Sequence, residues 1–499
     1  MDLFANLALG LSEALTPQTL LYCFIGVFAG TLIGVLPGIG ALAAVSMLMP
    51  LTFHVEPTAA IVMLAGIFYG VQYGGSTASI LLNLPGTPAT AVTCLEGYPM
   101  TRKGRAGVAL FIATVASFIG GCIGILIISG LAPAIARWAL AFGPAEYFAM
   151  MLLGLVAAAT ISQGSALKGV AMVVLGLLLG TVGTDVNSGQ QRFTFGYWEL
   201  ADGFSLVAIA MGLFGLSEVI ASIRSNLGGH SFRQKVSLRS MIPTRDDVSR
   251  AGAPVARGTS IGAFLGALPG TGTTIASFIA YALEKRLSRS PERFGKGAVE
   301  GLAAPESANN AAAQTAFIPT LSLGIPGDAV MALILGALII HGITPGPALI
   351  SDNAPLFWGL IMSFWIGNVL LLILNLPLIG IWVRFLQIPY RVLYPMILLF
   401  VCVGVYSVNN STFDIGLVVG FGLLGYLMRL YGYEPAPLMV AFVLGPLMEE
   451  HLRRALLLSR GDPMVFVERP LSALFIAAAI GLLLLPLIAR WRRSRRAES

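Results

Sequence analysis

Residues 30–40 read GTLIGVLPGIG, and residues 262–272 read GAFLGALPGTG. Both follow one pattern, Gly-x-x-x-Gly-x-Leu-Pro-Gly-x-Gly. A second pair follows: ILLNLPGT at 80–87 and LSLGIPGD at 321–328. The first pair is offset by 232 residues (Leu36 to Leu268) and the second by 241 (Pro85 to Pro326), so the second half carries nine extra residues between its motifs. Isolated Pro-Gly pairs are common in glycine-rich chains. Two ordered pairs at nearly constant spacing point instead to a duplicated half-chain.

The surroundings of these motifs set the solvent. The 499 residues are 56% hydrophobic and 11% charged, with a mean hydropathy of +0.84. A soluble domain carries about 25% charged residues, and so few charges cannot cover a core of this size. The chain therefore faces lipid, which excludes a soluble enzyme, a disordered chain and a coiled coil. A spanning helix needs about 20 apolar residues. Apolar candidates lie near 19–35, 57–73, 107–131, 144–162, 166–184, 203–222, 258–282, 307–325, 329–345, 356–383, 389–406, 412–430, 435–448 and 471–489. The expected fold is an all-α polytopic membrane protein, with about 10–12 transmembrane helices plus re-entrant or broken helices in two inverted repeats. Residues 1–222 are read as the first membrane half, 223–257 as a basic linker and 258–448 as the second half. Residues 449–499 are read as a C-terminal loop, a last apolar segment and a basic tail.

Charge placement gives orientation. No Lys or Arg precedes Arg102. The segment 258–282 is flanked by seven basic residues on one side (Arg224, Arg233, Lys235, Arg239, Arg245, Arg250, Arg257) and five on the other (Lys285, Arg286, Arg289, Arg293, Lys296). The positive-inside rule puts both flanks and the tail Arg490–Arg496 in the cytoplasm. A full span would export one flank, whereas a hairpin folded at Leu268-Pro269-Gly270 keeps both inside. The first copy has no such flanks, so the copies begin on opposite faces. Four arginines in 449–470 (Arg453, Arg454, Arg460, Arg469) fit poorly, since a cytoplasmic tail after one last span places them outside. Either local acids offset them or the last segment is no simple span. No nucleic-acid module accompanies the basic clusters. Asp2 and Glu13 stand where a signal peptide carries Lys or Arg, so none is expected. Cys23, Cys94, Cys122 and Cys402 form no C-x-x-C pair and read as small apolar residues.

A Pro-Gly break inside a membrane frees backbone N–H and C=O groups, and it survives only where it is buried or lines a polar cavity. Half-helix N-termini there suit an anion, and freed carbonyls suit Na⁺. The substrate-binding candidates are Gly38, Gly40, Ser76, Thr77, Asn83, Gly86, Thr87, Gly270, Thr271, Gly272, Ser307, Asn309, Asn310 and Gly327. Coupling-ion candidates are Glu306, Asp328, Pro37 and Pro269. Alternatives stay open at each: kinks for the breaks, helix packing for the small polar residues, a helix-end position for Glu306, and an N-cap for Asp328. No transition-metal site and no cofactor is expected, because no His/Cys cluster occurs. The phosphate-loop lysine is missing, as are a G-x-S-x-G elbow and an H-E-x-x-H pair. An ion gradient, not ATP, is left to drive transport. The rival classes are a gradient-independent channel or facilitator and an intramembrane enzyme.

Four stretches carry a resemblance. They are GTLIGVLPGIGALAAVSMLMPLTF (30–53), YGGSTASILLNLPGTPATAVTCLEGYPMTRKGRAG (73–107), GALPGTGTTIASFIAY (266–281) and PESANNAAAQTAFIPTLSLGIPGD (305–328). The chain resembles TctA, the large permease subunit of bacterial tripartite tricarboxylate transporters, over nearly all of residues 15–450. The resemblance implies a multi-pass inner-membrane location and secondary uptake of a carboxylate with Na⁺ or H⁺. It also implies two partners: a periplasmic solute-binding protein that delivers the substrate, and a small membrane subunit.

Overall fold

The computed structural model describes residues 3–36, 39–139, 142–161, 165–185, 188–224, 237–386 and 390–497. Pro37, Gly38, Arg233 and Lys235 lie outside them. Helix dominates. Among the described residues, five helices are long and apolar enough to cross a bilayer: Pro17–Val35, Pro57–Leu82, Ala106–Ile135, Ala354–Asn375 and Thr412–Leu430. Shorter apolar helices such as Ala41–Thr52, Ala166–Gly180 and Ala329–Ile340 fill the rest. The chain is an all-α polytopic membrane protein with interrupted helices.

Local chemistry sets where the motif helices start and stop. Pro17–Val35 begins at Thr16, whose hydroxyl accepts the Thr19 N–H, with Pro17 at the first helical position. Arg245–Gly266 begins at Thr244, in a reciprocal capping box with Asp247. This start lies inside the segment read as a linker, 223–257. That segment's charged end is the outer part of a membrane-entering helix, which hydropathy alone reads as loop. Likewise Ala436–Leu458 runs through residue 448, where the sequence suggested a boundary. The apolar segment read as 307–325 is two helices, Val299–Thr315 and Phe317–Leu323.

The duplication is visible in the packing. Gly26, Gly30 and Gly34 of Pro17–Val35 lie against the backbone of Met63, Ile67 and Val71 in Pro57–Leu82. Gly258, Gly262 and Gly266 lie in the same way against Ala304, Ala308 and Ala312 of Val299–Thr315. A Cβ at any of the six would overlap main-chain atoms of the partner. The glycines are offset by 232 and their partners by 241 (26 to 258, 63 to 304), the two offsets of the motifs. The nine extra residues therefore fall between Gly272 and Val299, partly in a longer second hairpin arm and mostly in the connection after it. Within lipid, close approach of this kind replaces the hydrophobic drive for helix association. Gly262→Ala is expected to cost about 1–3 kcal/mol by overpacking, read as a lowered melting temperature in detergent.

Ser76 meets Glu306, Gln72 meets Asn309, and the Tyr69 ring meets Phe317. One number falls as the other rises. Pro57–Leu82 and its repeat equivalent, Val299–Thr315 with its continuation, thus run antiparallel, and the repeats are inverted. Arg257 donates to Glu284 through Nε at 2.9 Å and Nη2 at 2.7 Å. These residues lie far from Gly270 on either arm, so Arg245–Gly266 and Gly272–Leu287 close a hairpin with both ends on one face. In the first repeat, Tyr22 packs on the cluster of Val55, Ala59 and Ala60, so the chain has returned to the face where Pro17–Val35 began.

One face gathers the basic segments. Arg105 Nη2 reaches both Asp247 carboxylate oxygens at 2.7 Å, and Lys103 Nζ donates to the Lys296 carbonyl at 2.6 Å. Ala166–Gly180 starts on this face, where Lys168 Nζ bonds the Tyr431 carbonyl, and ends on the other. There Arg453 pairs with Asp185 at 3.0 Å and Glu449 at 2.6 Å, Arg192 with Glu449 at 3.0 Å, and Arg469 with Glu146 at 2.8 Å. Acids therefore neutralise arginines of 449–470 on the face opposite the basic one.

Burial pushes the Asp247 carboxyl up, but hydrogen bonds from Arg105 and Thr244 outweigh it and hold it below the usual aspartate range. Its stabilisation is complete above the unfolded-state value of about 3.9 and is lost as pH falls through the lower folded value. Acidification from pH 7 toward 3 is expected to lower the melting temperature more in the wild type than in Asp247→Asn.

Candidate substrate and ion site

All four breaks converge on one cavity of about 590 Å³. Its wall takes Gly40–Ala43 and Pro85–Ala89 from the first repeat. From the second it takes Gly270–Ile275, Pro326 and Asp328–Val330. At each break a helix starts: Ala41–Leu48, Ala91–Arg102, Gly272–Leu287 and Ala329–Ile340. Gly40 and Thr271 are N-caps without a side-chain cap bond, so the first-turn N–H groups behind them are open to a ligand. Four helix starts around one space give a partly positive wall without a Lys or Arg from the motifs.

The sequence builds these tips locally. Gly270 has φ +84° and Gly272 φ +58°, which favour glycine. The Gly270 N–H donates to the Gly327 carbonyl at 2.8 Å, joining the hairpin tip to the second break of its repeat. In the first repeat, Gly86 abuts Gly75 and the Gly34 carbonyl, again joining the two breaks.

Of the residues singled out in the sequence, Gly40, Gly86, Thr87, Gly270, Thr271, Gly272 and Asp328 line the cavity. Asp328 also caps Ala329–Ile340, accepting the Met331 N–H at 2.9 Å. Ser76 and Asn309 are linked to the wall through Gln72, and Asn310 is not bonded to it. Gln72 Oε1 accepts from Thr87 at 3.2 Å and from Asn309 at 3.3 Å. Gly327 packs on Ala316, its N–H directed to Thr320. Ser76, Asn309, Asn310, Gly327 and Glu306 are not themselves among the lining residues, and neither are Thr77, Ser307, Asn83 and Pro269. Thr77 returns its hydroxyl to the Tyr73 carbonyl, and Ser307 returns its own to Val255 and Ala304. Asn83 is an exposed left-handed C-cap (φ 60°), and Pro269 sits in the hairpin turn. Pro37 and Gly38 lie outside the described residues.

Glu306 is 1% exposed. Its carboxylate accepts hydroxyls from Ser76 at 2.8 Å, Ser117 at 3.0 Å and Thr93. Its hydrogen-bond partners therefore come from three helices of the first repeat, and none is a cation. Asn310 bonds the Glu306 carbonyl at 3.1 Å. Asn309 Oδ1 and Gln314 Oε1 are buried acceptors without a hydrogen bond among the described residues. Asn309 is about one helical turn from Glu306, and an unused amide oxygen and a carboxylate are oxygen ligands of the kind a hard monovalent cation takes; Gln314 is about two turns from Glu306.

Sequence reasoning missed Gln72, Thr93, Ser117, Glu218 and Arg429. The last two line the cavity as well. Their signal was present: each is a lone charge in an apolar run, LFGLSEVI and YLMRLYG.

Residues 20–440 match the family described as the tripartite tricarboxylate transporter TctA family. The chain belongs to the TctA family. Two relatives come from Agrobacterium vitis. One, described as "Uncharacterized 52.8 kDa protein in TAR-I ttuC' 3'region", is 52% identical over 99% of this chain and 98% of its own length. The other, "Uncharacterized protein in TAR-II ttuC' 3'region", is 56% identical over 47% of this chain and 97% of its own length. No solved structure matches the chain. For a TctA protein, the meeting of inverted breaks in one cavity places its candidate site where many secondary transporters bind their cargo.

Proposed function

We propose that this TctA chain is the translocating subunit of a three-component secondary transporter that imports a di- or tricarboxylate with Na⁺ or H⁺. The observation that carries this reading is the cavity shared by both hairpin tips. Carboxylates are held there by first-turn N–H groups and by Thr87 and Thr271, with the coupling ion near Asp328 or in the Glu306 cluster. The hairpin-bearing elements move past the rest to alternate access. The basic face is cytoplasmic under the positive-inside rule. A periplasmic binding protein then delivers substrate to the opposite face, and a small membrane subunit completes the assembly.

Uptake of radiolabelled succinate, malate and citrate into proteoliposomes, with the cognate binding protein added, tests this. Accumulation is expected to depend on an inward Na⁺ or H⁺ gradient. Equilibration that ignores every ion gradient supports a facilitator instead.

A further inference from the structure

Among the described residues that line the cavity, Arg429 is the only Lys, Arg or His. It stands at the end of Thr412–Leu430, paired with Glu218 from the neighbouring helical run 206–224. The two runs are parallel, since Gly212 abuts Phe421 while Glu218 meets Arg429. A π-helical turn, Met211–Leu216, precedes Glu218 and places Leu213 and Phe214 on the cavity wall. Such turns recur at functional sites.

The partners of this pair are unequal. The Glu218 side chain is 15% exposed and that of Arg429 is 44% exposed. Glu218 engages only Nη2, and Nε and Nη1 carry no hydrogen bond among the described residues. A guanidinium offers five N–H donors in a fork that fits a carboxylate bidentately. Arg429 is thus held by one nitrogen and keeps donors free beside the cavity.

We propose that Arg429 reads the substrate, with Glu218 as its internal stand-in. An incoming carboxylate takes the fork and displaces Glu218. The empty cavity then presents no unpaired cation, so a small anion that cannot bridge the fork competes poorly. Glu218, Asp328 and Glu434 all line the cavity against this one guanidinium. A bound carboxylate adds to that negative surplus, which a co-transported cation offsets. This inference rests on the carboxylate-transport reading above.

The test is uptake of citrate, succinate and malate by three variants, with binding to the purified chain measured alongside. Glu218→Gln is expected to lower KM about threefold, because the competitor for the fork is lost. Arg429→Gln is expected to raise KM about tenfold or more, with Arg429→Lys recovering only part, since an ammonium cannot form the fork. The double variant is expected to match Arg429→Gln. A purely structural ion pair gives another pattern: both single changes impair transport and the double change restores it. That pattern overturns the proposal, as does an unaltered KM in the single variants of a chain whose wild type binds carboxylate. Should Arg429→Gln not fold, the affinity gain of Glu218→Gln carries the test, because loss of a structural pair does not produce it. A wild type that neither binds nor transports any of the three overturns the transport reading together with this one.

Discussion

Glu306→Gln is expected to leave the TctA chain folded while lowering carboxylate uptake on the order of a hundredfold. The amide keeps the shape of the side chain: its oxygen still accepts the Ser76 and Ser117 hydroxyls, while its NH2 donates to the Thr93 hydroxyl oxygen, which must turn its own proton elsewhere. It removes the one formal charge of that cluster, and with it the group proposed to meet the coupling cation or proton. Glu306→Ala is expected to behave differently. It takes from Thr93 its acceptor, at about 1–3 kcal/mol, whereas Ser76 keeps the Gln72 carbonyl and Ser117 the Glu306 backbone carbonyl, so a lowered melting temperature is expected from it. Uptake measured beside melting temperature separates the two effects. Full uptake by a folded Gln variant removes Glu306 from the coupling machinery.

Gly270→Ala carries the second large effect. At φ +84° a Cβ is strained, and it also meets Ala157. The left-handed backbone costs roughly 1–2 kcal/mol and overpacking roughly 1–3 kcal/mol more. The bond from Gly270 N–H to Gly327 is displaced with the tip. Uptake at least about tenfold lower is expected, with the chain still inserted in the membrane. Gly40→Ala is the internal control. Gly40 has φ −68° and no atom within 4 Å of an added Cβ. Its melting temperature is expected to stay at the wild-type value. Equal damage at both positions would show that glycine count, not tip geometry, matters.

Much of the fold was legible because its determinants are local. A Leu-Pro-Gly break announces itself in any register, and two offsets differing by nine exposed both the duplication and an insertion. The structure places that insertion before Val299, where Glu96 accepts the N–H groups of Gly295, Gly297 and Ala298. Nothing near Glu96 in the sequence announced this grip, since its partners lie about two hundred residues away. The same distance hid Thr93 and Ser117 from Glu306, and Glu218 from Arg429. Asn83 and Ser307 misled for the converse reason. Polar residues beside a break also serve as helix caps and as hydroxyls bonded back to the backbone, and spacing cannot separate those uses.

The proposed mechanism requires one substrate to be held between the tips of both inverted repeats, and site-specific thiol labelling tests that. Single cysteines are placed at Thr87 and Thr271, one per repeat, after Cys23, Cys94, Cys122 and Cys402 are replaced by serine. Labelling by a membrane-impermeant reagent is then followed with and without the transported carboxylate. Both positions are expected to be protected together at one carboxylate concentration. Protection at only one position, or at neither while uptake persists, would contradict a site shared by the two repeats.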